Sequence, residues 1–333
     1  MTTDIEFLLA SLPTDLGGPA RRLVEQTRLV TDAGEDTLAA CFALLRHVPA
    51  DPAALDAGHD LLTGEVAAAL NLAHERLADA YPAVAAAWRG GGAELFSDYL
   101  PRLSLAIETC RDCADGTATA VARYRESAER LWSNVVTTTR DTADQVTATV
   151  AQFHGREPFA LSSVVSIVEG YADYCEQLVE TLVDLGNDHA PGSALAAADR
   201  IGTRLRRDGN RMALPPVVDE LAEDWRPIGQ VAVDLAAMTE LTSTLAAGTH
   251  HWEHAAANLE RAATEHFGTA AFGLAGAEFH RELHRLLVDQ HDLYRQGESH
   301  MSDLARQLRV VSAHYAAGDD AAGGELRRGL EES

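Results

Sequence analysis

All eleven prolines of this chain lie at or before Pro227, so residues 228–333 contain no residue that is barred from the interior of a helix. Proline removes a backbone donor and clashes with the preceding turn, so a long tract without it leaves helices free to run. Apolar residues recur through this tract at the mixed three and four spacing of one helix face. In the last hundred residues the stripe reads Phe279, Leu283, Leu286, Leu293, Met301, Leu304, Leu308, Val311 and Tyr315, with Gln290 and Gly297 interrupting it. Such a seam is buried against other helices. A second stripe, Phe96, Leu100, Leu103, Ile107, Cys110, Val121, Tyr124, Leu131 and Val135, has the same period. No run of alternating β-branched residues argues for a sheet, and NVVTTT at 134–139 is flanked by helical spacing. The expected fold class is all-α, an elongated bundle of long antiparallel helical hairpins.

Breakers divide the chain. Helices are expected over about 16–47, 52–87, 98–150, 159–186, 193–207, 216–265 and 276–317. Pro101 is placed in a first turn, where its missing N–H does little harm, and Pro82 marks a kink. The stretches WRGGG at 88–92 and FGTAAFGLAG at 267–276 separate pairs of long helices. The organisation read from these breaks is an N-terminal module, 1–150, carrying a hairpin at 52–150. A helical connector, 151–215, a C-terminal hairpin, 216–323, and a flexible acidic tail, 324–333, follow it. The two hairpins suggest a loose internal duplication.

Charge narrows the partners. The chain has 27 basic residues, all arginine, against 51 acidic ones, for a net charge of −24. Nucleic-acid binders draw most of their affinity from a basic face, so that class is excluded, and anionic membrane surfaces are disfavoured. No window is apolar for long enough to span a membrane, and MTTDIEFLLASLPTD lacks the basic start and apolar run of a secretory signal peptide. A cytoplasmic origin is therefore expected, with any export by another route. The four cysteines include a C-x-x-C at Cys110 and Cys113, but the pair sits on an apolar helical stripe and reads as core.

The fourteen histidines cluster in HHWEH (250–254) and HRELH (280–284), with His291 two turns further. Histidines four apart on one helix face can chelate a metal, and a third from a facing helix completes a site. If the C-terminal hairpin reverses about residue 271, His254 meets His284, which makes His254, His280 and His284 the candidate ligands. The zinc-hydrolase order H-E-x-x-H is absent, as are a nucleophile elbow, a P-loop and a dinucleotide fingerprint. No enzyme activity and no cofactor are expected.

The turns and the tail carry a resemblance. AWRGGGAELFSDYL places Trp88-Arg89-Gly90 between two helices, EHFGTAAFG places Phe267 and Gly268 at the second turn, and HYAAGD sets Tyr315 four residues before Asp319. This resembles the Trp-X-Gly superfamily of actinobacterial type VII secretion proteins, helical hairpins in which Tyr-x-x-x-Asp/Glu follows the second helix as part of an export signal. The resemblance covers 216–323 best and 52–135 second. It implies that Trp88 and Gly90 are turn residues, with Phe267 and Gly268 in the equivalent place, and that Tyr315 and Asp319 form the export signal. It further implies a secreted protein whose partners are a helical protein, or a second copy, and the secretion machinery. Tyr294 with Glu298 fits the same tail pattern in mid-helix. Two other readings compete: a cytoplasmic metal- or ligand-binding bundle using His250 to His291, and an acidic helical scaffold or adaptor.

Overall fold

The computed structural model describes residues 5–153, 159–186, 190, 192–207, 210–212, 214 and 232–331. The fold is all-α. In chain order the helices are α1 (Ile5–Ser11), α2 (Thr14–Arg28), α3 (Ala33–Leu45), α4 (Pro52–Asp60), α5 (Ala67–Ala87), α6 (Gly91–Gln152), α7 (Leu161–Gly186), α8 (Ala194–Leu205), α9 (Leu235–Arg261) and α10 (Ala277–Glu331). Leu61–Val66 joins α4 to α5 as a π-helical turn, and Ala262–His266 is a second one after α9. Among the described residues strand pairing is confined to two-residue pieces: β1 (Trp88–Arg89) with β4 (Ala232–Val233), and β2 (Arg206–Arg207) with β3 (Asn210–Arg211).

Local chemistry sets several boundaries. Asp51 Oδ1 accepts from the N–H groups of Ala53 and Ala54 at 3.1 Å, and Pro52 occupies the first position of α4, where no donor is needed. Asp234 caps α9 in the same way, through Ala236 and Ala237 at 2.9 and 3.1 Å. Helix α6 begins at Gly91, seven residues before the expected start, so Pro101 lies inside it rather than in its first turn. Phe96, Tyr99 and Leu100 are buried, and their packing carries the helix past the proline. The 216–231 part of the expected 216–265 helix lies outside the described residues, and α9 itself starts at Leu235. Helix α10 runs to Glu331, through the segment expected to be a flexible tail.

The chain forms two compact units, each built from three stretches. The first takes residues 1–57, 119–197 and 265–283; the second takes 58–118, 198–264 and 284–333. In the first unit, α1–α3, the later part of α6 and α7 enclose a core that includes Leu8, Leu16, Leu23, Phe42, Val135, Val146, Val164 and Tyr171. The 267–276 segment belongs to this unit. Asp51 N–H donates to Ala271 O at 2.9 Å and Leu274 N–H to His47 O at 2.8 Å, which docks the segment on the α3–α4 loop. Gly273 has φ +61°, and a Cβ there would stand 2.5 Å from the Val48 carbonyl oxygen, so only glycine fits. Tyr124 packs against Gly276 of the same segment. Its hydroxyl donates to Phe272 O, and its ring stacks on Phe279 with centroids 5.0 Å apart.

In the second unit, α5, the first part of α6, α9 and α10 pack around Trp252 and Tyr294, both fully buried. Helix α9 yields a glycine to α10 and α10 yields one to α9. A Cβ on Gly297 would lie 2.4 Å from the Trp252 indole, and one on Gly248 would lie 2.4 Å from the Met301 methyl. Gln290 is buried and donates to Thr117 Oγ1 at 2.7 Å, and Tyr294 donates to Gln290 Oε1 at 3.3 Å. The two breaks in the α10 apolar stripe are therefore a polar link and a notch for an indole. Asp289, 3% exposed at its side chain, pairs with Arg206 at 2.7 Å.

Candidate functional site: the tryptophan turn and the last helix

The α5–α6 reversal needs one residue in the left-handed half of backbone space, and Gly90 supplies it with φ +128°. Trp88 just before it is extended (φ −149°, ψ 136°), which ends α5 and turns the indole inward. The side chain is 2% exposed and packs on Phe96 with centroids 6.4 Å apart. The backbone is clamped as well. Trp88 pairs with Val233 and Arg89 with Ala232, and Asp234 N–H donates to Ala87 O at 2.8 Å. The turn is thereby tied to the capped start of α9.

The indole N–H of Trp88 donates to the hydroxyl of Tyr315, on α10. Partial burial raises the Tyr315 hydroxyl above the ordinary phenol range, opposed by that donated bond. The phenol therefore stays neutral at physiological pH. Tyr315 is half-buried, with one part held against the turn and the rest open to solvent. Asp319 follows one helical turn later on α10, and its side chain lies outside the described residues. Residues four apart share a helix face. Tyr294, the other match to the tail pattern, is fully buried, which removes it as an accessible signal.

Nearby, Leu235, Thr239, Thr242 and Ala246 of α9 and Arg309, Ser312, Ala313 and Ala316 of α10 line an open groove. The site thus combines a buried tryptophan, a half-open phenol and a groove between two helices.

At the second turn, Phe267 is buried and touches Phe272 with centroids 6.2 Å apart. Gly268 is extended (φ −69°, ψ 158°), which any residue adopts, and the glycine that the turn requires is Gly273. Sequence spacing pointed to Gly268 because Phe-Gly mimics Trp-x-Gly. The contact with Val48 and Pro49 that singles out Gly273 comes from a distant part of the chain.

The histidines do not assemble as expected. Among the described residues no group of three or more His, Cys, Asp or Glu stands together in a way that could hold a metal ion. His254 lies beside Asn258 at 3.4 Å, with the His250 ring 6.4 Å away. His280 packs on Phe272 at 5.3 Å, and His284 and His291 edge an apolar cleft lined by Leu259, Ala263, Leu287 and Val288. The physical reason is register. Trp252 meets Gly297 and Gly248 meets Met301, so His254 falls level with Arg295. That is about 16 Å along the helix from His284 at 1.5 Å per residue. The 3₁₀ turns at Thr269–Phe272 and Leu274–Gly276 move the reversal beyond residue 271.

Cys110 and Cys113 are fully buried and free, as the stripe implied. Burial pushes the Cys113 thiol up to about 11 and the Cys110 thiol well above its usual range. Both are inert at neutral pH. Among the described residues no helix is long and apolar enough to cross a membrane.

No protein-family model, curated protein or solved structure matches the chain.

Proposed function

We propose that this chain is a helical-hairpin protein exported by a type VII route, acting through helix–helix recognition of a protein partner and of the export machinery. The contact between Trp88 and Tyr315 is the observation that carries the reading. The Trp-Arg-Gly turn and the tail tyrosine are more than two hundred residues apart in sequence, yet they meet within one compact unit. A core tyrosine would be fully buried, as Tyr294 is, whereas Tyr315 keeps an open edge. A recognition element needs that combination: a side chain held in place but still legible to another protein. The neighbouring groove between α9 and α10 gives a partner helix a surface continuous with it.

The test is export from the native host, comparing the wild type with Trp88→Ala and with the Tyr315→Ala, Asp319→Ala pair. Loss of export with retained helical content supports the reading, and unchanged export of both variants refutes it.

A further inference from the structure

The core of the first unit holds a feature that the export reading does not use. Cys41 on α3 and Cys175 on α7 come from distant parts of the chain, and both are buried, at 5% and 2% exposure. Helix α3 packs along α7, and the two thiols are hydrogen-bonded to each other. Tyr171, one turn before Cys175, donates its hydroxyl to the Cys175 sulfur and shares a 2.7 Å hydrogen bond with Thr139. Thr139, Tyr171, Cys175 and Cys41 thus form a line of interacting groups within this core.

We propose that Cys41 and Cys175 are a disulfide site, closing a covalent staple between α3 and α7 when the folded chain meets a small-molecule disulfide oxidant. Bridging needs Cβ atoms that face each other across closely packed backbones, and Cys41 and Cys175 interact within one core on two helices that pack directly together. The chemistry has an order. The hydrogen bond from Cys175 favours the Cys41 thiolate, while Cys175 is held protonated by that same bond and by burial. The Cys41 thiolate attacks one sulfur of the oxidant, R–S–S–R, forming a mixed disulfide and releasing one thiolate. Cys175 then gives up its proton and attacks the Cys41 sulfur, releasing the second thiolate. The protein loses two protons and two electrons, and the oxidant leaves as two thiols. Cys110 and Cys113 are poor competitors, since burial opposes thiolate formation at both. Disulfides persist where the surroundings are oxidising, so any route that takes the chain out of a reducing compartment would close the bridge.

Arginine cleavage separates the four cysteines. Cys41 falls in peptide 29–46, Cys110 in 103–111, Cys113 in 112–123 and Cys175 in 157–200. The full-length reduced protein is incubated with oxidised glutathione under native conditions, then alkylated in denaturant and digested. The expected result is peptide 29–46 joined to 157–200 without retained glutathione, both other cysteine peptides alkylated, unchanged helical content and a raised melting temperature. The Cys110→Ala, Cys113→Ala variant is expected to form the same bridge, which removes dependence on variants at the bridging pair. Four alkylated cysteines, a stable glutathione adduct at Cys41, a bridge between Cys110 and Cys113, or a bridge formed only with loss of helical content would each overturn the proposal.

Discussion

Trp88 donates its indole N–H to Tyr315, so the residue that ends α5 and a residue well inside the last helix are hydrogen-bonded partners. A donor removed by Trp88→Phe and an acceptor removed by Tyr315→Phe act on the same bond. Tyr315→Phe is expected to lower stability by about 0.5–1.5 kcal/mol in the wild type and to add little once Trp88 is phenylalanine, while Trp88→Phe carries a further packing loss in either background. A double-mutant cycle by urea denaturation checks this. Full additivity would mean that the two side chains do not interact.

Gly297 is shaped to the Trp252 indole. Gly297→Ala places a Cβ 2.4–2.5 Å from three ring atoms, and a buried ring cannot swing aside. The expected loss is about 1–3 kcal/mol. Gly170→Ala, on the exposed face of α7 with nothing within 4 Å, is the control, expected to stabilise by about 0.5–1 kcal/mol. Thermal melts of the two variants should move in opposite directions.

Tyr124→Phe keeps the stack on Phe279 and removes only the donor to the Phe272 carbonyl. The buried carbonyl loses that bond, and a destabilisation of about 1–3 kcal/mol is expected. Amide exchange should rise at Ala271 and Leu274, whose backbone bonds hold the same segment.

Two histidines of the second unit should make its stability pH-dependent. Burial lowers His251, with Arg76, His250 and His254 adding to the effect, and burial also lowers His300. A base whose folded pKa lies below its unfolded value binds more protons when unfolded. Its contribution is therefore fully present above about pH 6.5 and is lost as pH falls toward the folded value. Melting temperature should drop between pH 7 and pH 5, and the His251→Gln, His300→Gln pair should flatten that drop. An identical pH dependence in wild type and variant would contradict the assignment.

What could be read from the sequence followed the distance over which each signal acts. Helix class and the buried faces of α6 and α10 were legible because a 3.6-residue period is local. Gln290 and Gly297 looked like defects in the stripe because their reasons, Thr117 and Trp252, lie on other helices. The pairing of Trp88 with Val233 was invisible, since two residues have no period. The histidine error had the same origin: a shift of a few residues in the turn moves a facing pair by several ångströms. Trp88, Gly90 and Tyr315 stood out as motifs, but only the folded chain brings the indole to the phenol.

The most direct test of the export reading is the amount of protein in culture supernatant relative to lysate in the native host. The wild type is measured beside the Tyr315→Ala, Asp319→Ala variant, with circular dichroism of both purified proteins. The account predicts wild type in the supernatant, the variant retained in the lysate, and equal helical content. Equal supernatant levels of the two, or a wild type that stays wholly in the lysate, would contradict it.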